Sequence, residues 1–279
     1  MVGLVGVFWT MPILADDLDS LQRALEVQYA IDSSSEAALG ARMRLLSDPL
    51  VGANYVLNPT GEGQAPDLDP IARYDAFDCL TFVEEVYALA SGQSADEIDL
   101  YRQLLRYGNG AIDFENRNHF MASQWIPSAV KYGFFTDVTA DYGPTQLLIK
   151  DYDLVKWAEF KYKRSYIPLK TYPSGQHYLQ TLSIEGAIQN IDTVPEGTLI
   201  VVVRQNKPDH PVWVSHLGIL IYKDDKPFIR HATKMGDRLV RDDRLPWYFT
   251  HLRWFDNWPV VGVMLLAPQS VSLDELKPN

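Results

Sequence analysis

Two short apolar runs separated by four charged residues constrain this chain more than any other feature. Val212–Tyr222 and Pro227–Ala232 are of strand length, and Lys223-Asp224-Asp225-Lys226 lies between them. Runs of this composition bounded by turn residues read as strands. A two-residue turn with Asp224 and Asp225 at its tip would join them as an antiparallel hairpin. That turn sets the register: Tyr222 opposite Pro227, Leu220 opposite Ile229 and Gly218 opposite His231. A slip of one residue would move every side chain to the other face, so the inference depends on the turn. In this register His216 and His231 share a face as diagonal neighbours, with Cβ atoms about 7–8 Å apart. Gly218 leaves room for an imidazole, while Leu217, Ile219 and Ile221 point the other way. The plain alternative is two histidines on a half-polar sheet face.

The rest of the chain divides by pattern. Thr198–Arg204 and Val260–Leu266 read as further strands. The first half reads as helical over Leu18–Tyr29, Ser35–Leu46, Asp78–Ala90 and Ala95–Tyr107, with a Gly-, Pro- and Asp-rich loop over Asn58–Pro70. Helices first and strands later predicts an α+β fold on a mainly antiparallel sheet. No repeat or low-complexity linker divides the 279 residues, and residues 16–279 are expected to form one domain.

Cys79 is the lone cysteine, which excludes an internal disulfide framework and any multi-cysteine metal site. It follows Asp78, a good N-cap type, and so falls in the first turn of its helix. There the positive end of the helix dipole favours a thiolate. Most free cysteines are small core residues, and that reading stands beside the reactive one. What distinguishes Cys79 is its position together with His216, which heads a strand and could serve as its base.

The formal net charge of −11 argues against bulk attraction to nucleic acid or an anionic membrane. Lys156, Lys161, Lys163, Arg164 and Lys170 form a local basic stretch, which reads as a solvated face. Met1–Ala15 is apolar, too short to span a bilayer, and resembles the core of a secretory signal without its basic start. The expectation is an exported, periplasmic protein with residues 1–15 as a signal remnant. No second ligand stands near His119 at helical spacing, so no metal is expected there, and no cofactor is expected elsewhere. His177, His210 and His251 carry no usable pattern. The cluster of Trp247, Tyr248, Phe249, Trp254, Phe255 and Trp258 reads as core and rim packing, with a sugar-stacking platform as the alternative.

Phe77-Asp78-Cys79 opening a helix, then Ser215-His216-Leu217-Gly218-Ile219, then Ile229-Arg230-His231-Ala232, resembles the NlpC-type, papain-like cell-wall hydrolases. Two longer stretches narrow the resemblance. Tyr74-Asp75-Ala76-Phe77-Asp78-Cys79-Leu80-Thr81-Phe82-Val83-Glu84 is one. Phe114-Glu115-Asn116-Arg117-Asn118-His119-Phe120 with Trp125-Ile126-Pro127 is the other. Together they resemble a branch first catalogued as a domain of unknown function, whose characterised members are N-acetylmuramoyl-L-alanine amidases acting on muropeptides. The resemblance covers about Leu45 to Pro268.

It implies a papain-like α+β fold with the nucleophile at a helix N-terminus. It also implies Cys79 as nucleophile, His216 as base and His231 as orienter. The Cys79 N–H is the expected oxyanion donor, supported by the Asp78 cap, with Tyr74 as a candidate second donor. The polar loop Ile112–Phe120 is a candidate recognition element: Arg117 as a carboxylate clamp, with His119 or Trp125 beside the scissile bond. A polar turn held by Asx-type capping is the alternative reading of that loop. Three functions remain open: an amidase at the muramoyl–L-alanine bond, an endopeptidase within the stem peptide, and a non-catalytic muropeptide-binding module. Acyltransferases of related fold often place His before Cys, the reverse of the order here.

Overall fold

The hairpin forms as its turn chemistry dictates. Asp224 and Asp225 adopt φ of 50° and 58°, the paired left-handed geometry of a tight two-residue turn. Lys223 pairs with Lys226, Tyr222 with Pro227, Leu220 with Ile229 and Ile219 with Arg230, which is the register expected from sequence. The computed structural model describes residues 22–276 apart from 25, 29, 32–36, 109–110, 154, 156, 158–170, 208–209 and 275. Met1–Ala15 and the basic residues from Lys156 to Lys170 lie outside the described residues. So do several positions of the helix expected over Leu18–Tyr29, of which residues 22–24 and 26–28 are helical.

Helix α1 spans Leu39–Ser47, α2 Cys79–Ser91, α3 Ala95–Tyr107 and α4 Ile126–Lys131. A two-residue parallel pair, β1 (Asn54–Tyr55) and β2 (Ala76–Phe77), sets Tyr55 beside Phe77 just ahead of α2. An eight-stranded sheet follows: β3 (Phe135–Asp137), β4 (Thr145–Tyr152), β5 (Gly175–Leu182), β6 (Leu199–Arg204), β7 (Val214–Lys223), β8 (Lys226–Ala232), β9 (Val240–Arg244) and β10 (Val260–Pro268). Its order is β4-β5-β10-β6-β7-β8-β9, with β3 also on β10, and every pairing in it is antiparallel. Helices α5 (Ile184–Asn190) and α6 (Leu245–Leu252) follow β5 and β9.

The central strands β6 and β7 are apolar on both sides because the sheet is covered on both faces. Val201, Val203, Leu217, Ile219 and Ile221 pack with Phe82, Val83 and Val86 of α2. Ile200, Val202, Leu220 and Ile229 pack with Ile184 of α5 and with Leu245, Tyr248 and Phe249 of α6. Burying such side chains contributes about 1.5–3 kcal/mol each, which fixes α2 against the middle of the sheet.

Helix α2 is also held by charge. Its Glu84 and Glu85 are buried and meet two arginines of α3: Arg106 at 3.0 Å and Arg102 at 2.7 Å. Trp125 donates its indole N–H to Glu84 at 3.0 Å. Removing one partner of such a buried pair typically costs about 3–5 kcal/mol, because the other charge stays behind.

Candidate active site

Asp78 starts α2. Its carboxylate accepts from the N–H groups of Leu80 and Thr81 at 3.1 and 2.9 Å, and the Thr81 hydroxyl accepts from the Asp78 N–H at 2.9 Å. This reciprocal cap leaves the Cys79 N–H outside the side-chain capping bonds, at the helix end where backbone donors lack intrahelical partners. The other Asp78 oxygen accepts from the Asn58 N–H at 3.0 Å, tying the loop before β2 to the helix start.

Cys79 lines a cavity of about 410 Å³ together with His216, Tyr55, Tyr248 and Arg204. Burial, with the Asp78 carboxylate second, pushes the thiol up to about 12, against the Leu217, Cys79 and Leu80 N–H groups that favour its charged form. The helix start alone predicts a shift the other way, so desolvation wins here.

The two histidines lie where the hairpin register puts them. The His216 and His231 rings contact through Nε2 and Nδ1 at 2.7 Å. Gly218 permits this: a Cβ there would stand 2.8 Å from the His231 Cβ and 2.6 Å from the Ile229 Cγ1. On its other side, His231 Nε2 donates to Asp243 Oδ2 at 3.0 Å. Asp243 sits on β9 and also accepts from Arg241 at 2.9 Å. Burial alone would raise the Asp243 carboxyl, but the His231 hydrogen bond and charge, then Arg241, hold it below its usual range.

An ionised Asp243 fixes the tautomers. His231 must carry its proton on Nε2, so Nδ1 accepts from His216 Nε2–H. The lone pair of His216 is then left on Nδ1. Burial lowers the His216 pKa well below its ordinary value, and the His231, Arg204 and Lys234 charges add to the shift. Burial also lowers the His231 pKa, outweighing the opposing hydrogen bond and charge of Asp243. Both imidazoles are therefore neutral at neutral pH, as is the thiol. Tyr248 packs its ring edge against His231 at 5.2 Å, and its hydroxyl is raised by burial.

Several residues expected near the chemistry stand elsewhere. Tyr74 does not line the cavity, and its hydroxyl is raised by burial and then by the charge of Glu85. Tyr55 occupies that side instead, brought there by the β1–β2 pairing, and its hydroxyl is raised by burial and then by the charges of Cys79 and Asp78. Trp125 is fully buried in the core on Glu84 and does not line the cavity. Arg117 does line it, but its guanidinium is engaged by Glu62 at 2.7 Å and Asp67 at 3.0 Å, so it braces the Asn58–Pro70 loop. His119 also lines the cavity, with Nε2 on the Phe114 carbonyl at 2.7 Å.

Asp243, Tyr55 and Arg204 carry no signal as site residues in the sequence, and Tyr248 stands out there only as one of an aromatic cluster. Parity on β9 with His231 could have found Asp243 had the charged run Arg241-Asp242-Asp243-Arg244 been read as an edge strand. The aromatic cluster splits: Tyr248 and Phe249 are buried, whereas Trp247 and Trp254 are exposed and Phe255 borders the cavity. Among the described residues no cluster of three or more His, Cys, Asp or Glu side chains is arranged to hold a metal ion. No helix among them is long and apolar enough to cross a membrane.

A protein of Legionella pneumophila assigned to the family DUF1460 is 21% identical; the match covers 89% of this chain and 95% of that one, with a TM-score of 0.76. An N-acetylmuramoyl-L-alanine amidase from Bacteroides uniformis is 22% identical over 83% of this chain and 99% of that one, with a TM-score of 0.65. A provisionally assigned xylanase from Bacteroides fragilis is 25% identical over 78% of this chain and 96% of that one, with a TM-score of 0.59. No curated protein is detectably similar in sequence. A family profile described as AmiA-like, N-acetylmuramoyl-L-alanine amidase-like, matches residues 45–253, which include Cys79, His216, His231 and Asp243. The chain belongs to this AmiA-like family of N-acetylmuramoyl-L-alanine amidase-like hydrolases.

Proposed function

We propose that the protein hydrolyses the amide between muramic acid and the L-alanine of a peptidoglycan stem, through a thioester on Cys79. The observation that carries this reading is the hydrogen-bonded series His216–His231–Asp243 in the cavity that holds Cys79. A cysteine at a helix start, preceding strand-borne histidines in the chain, is the papain-like order of an NlpC-type hydrolase.

The thiol and imidazole are both neutral at rest, so the proton moves as the sulfur attacks. Cys79 Sγ bonds to the lactyl carbonyl carbon, and its proton passes to His216 Nδ1. The oxyanion accepts from the Cys79 N–H and from the Tyr55 hydroxyl, which takes the role expected of Tyr74. The carbon–nitrogen bond then breaks, and His216 returns the proton to the leaving L-alanine amine. Water attacks the thioester, giving its proton to His216. The carbon–sulfur bond breaks, the proton returns from His216 to sulfur, and the muramic acid leaves as its carboxylic acid, which ionises to solvent. His231 and Asp243 hold His216 in the tautomer this sequence needs. The apolar Met1–Ala15 segment supports export to the compartment where such substrates occur.

Likeness to a provisionally assigned xylanase raises a glycosidase alternative. That chemistry needs two carboxyl groups facing each other across the scissile bond. The carboxylates lining this cavity are Asp78, committed to the helix cap, and Glu84, committed to Arg106 and Trp125. An endopeptidase would use the same catalytic groups and is separated only by its product. Cys79→Ala and Cys79→Ser test the thiol role: both are expected to abolish amide hydrolysis with the melting temperature retained. Full turnover by Cys79→Ala, or loss of wild-type turnover on adding a chelator, would overturn it.

A further inference from the structure

Arg204 ends the central strand β6 and is only 9% exposed, yet no carboxylate among the described residues pairs with it. Its Nε donates to the Ser215 hydroxyl at 2.8 Å and its Nη1 to the Trp258 carbonyl at 2.7 Å, both neutral acceptors. Nη2 has no hydrogen-bond partner among the described residues and is not a buried orphan atom, so it keeps access to solvent in the cavity that Arg204 lines. The guanidinium lies over the Phe255 ring at 4.4 Å from its centroid and the Trp258 ring at 5.5 Å. Burial lowers its pKa, the direction expected of a cation lacking its anion. Of the other buried arginines, Arg102, Arg106, Arg117 and Arg230 each meet at least one carboxylate; Arg42 meets none among the described residues, but it does not line the cavity. A buried cation is costly unless an anion joins it, and a stacked, two-point-held guanidinium is pre-oriented to receive one.

Position narrows the anion. His216 pairs with Val202, and the Arg204 Cα lies two residues further along β6, about 7 Å from the Val202 Cα at the usual strand rise. The muramoyl side offers no carboxylate there, because its lactyl carboxyl is itself the scissile amide. On the peptide side an extended chain advances about 3.5 Å per residue, so about 7 Å reaches the second residue of the stem. That residue is a D-glutamate joined onward through its side chain, which leaves its α-carboxyl either free or amidated.

We propose that Arg204 anchors the α-carboxylate of the second stem residue, making the hydrolase selective for stems in which that group is not amidated. This rests on the amidase reading above. The test uses two synthetic disaccharide–tetrapeptides that differ only in whether this carboxyl is free or amidated. The ratio of kcat/KM for the two within one enzyme preparation cancels any loss of folded protein. Wild type should favour the free acid by about 10-fold or more, Arg204→Gln should bring the ratio near 1, and Arg204→Lys should fall between. A wild-type ratio near 1, or a wild-type-like ratio in either variant, overturns the proposal. Calorimetric binding of both compounds to Cys79→Ala separates it from the reading beneath it. If wild type cleaves neither compound but Cys79→Ala binds the free acid at least about 10-fold more tightly, the carboxylate site stands and the amidase reading falls. Equal binding overturns the site.

Discussion

Replacing Asp243 tests the series behind the histidine directly. His231 Nε2 donates to Asp243 Oδ2 at 3.0 Å, and the carboxylate is held ionised by His231 and Arg241. A hydrogen bond to a charged group contributes about 1.5–3 kcal/mol. If Asp243→Ala loses that much transition-state stabilisation, kcat/KM falls by about 10- to 150-fold. The loss acts through orientation: without Asp243, His231 is free to carry its proton on Nδ1, which turns the lone pair of His216 away from the thiol. Asp243→Asn retains an acceptor oxygen without the charge, so its loss should be smaller than that of Asp243→Ala. The assay is steady-state release of stem peptide from a disaccharide–tetrapeptide, with melting temperature and Cys79 alkylation measured alongside. Retention of wild-type kcat/KM by Asp243→Ala within about 2-fold would refute the tautomer argument, since the bond would then contribute less than about 0.4 kcal/mol.

Other perturbations separate structure from chemistry. Gly218→Ala should cut activity sharply, because the added methyl meets the His231 Cβ at 2.8 Å; wild-type turnover would refute that packing. Arg117→Ala should destabilise by about 3 kcal/mol or more, since it leaves Glu62 buried without its cation. The same variant should leave the preference between free and amidated stems unchanged, and a changed preference would return Arg117 to the substrate. Acid should weaken both activity and stability. The folded-state pKa values of His216 and His231 lie below 6.5, so the unfolded chain binds their protons first as pH falls. Their contribution is complete above about pH 6.5 and declines below it by up to about 1.4 kcal/mol per pH unit for each proton. Denaturant midpoints that rise on acidification from pH 7 to 5 would contradict this sign.

What was legible in the sequence followed local rules. The tight turn at Asp224-Asp225 and strict alternation around it carried the His216–His231 face. A capping residue before an apolar helical run carried Cys79 to a helix start. What was not legible depended on partners distant in the chain. Tyr74 is near Cys79 in sequence but does not line the cavity, and Tyr55 arrives through a two-residue parallel pair too short to read. Arg117 and Trp125 resembled recognition residues, yet buried Glu62 and Glu84 claim them. Strands β4 and β5 were missed because polar residues interrupt their apolar pattern, and β9 because its charges suit an edge strand. The thiol pKa divides in the same way: a helix start is local, whereas the desolvation that outweighs it comes from the whole cavity.

The central claim is the identity of the bond that Cys79 attacks. Incubating the enzyme with a defined disaccharide–tetrapeptide and weighing the products measures it directly. The expected products are a free tetrapeptide beginning with an L-alanine amine and the disaccharide bearing a restored lactyl carboxylate. A disaccharide still carrying L-Ala-D-Glu, with the remainder of the stem released, would contradict it.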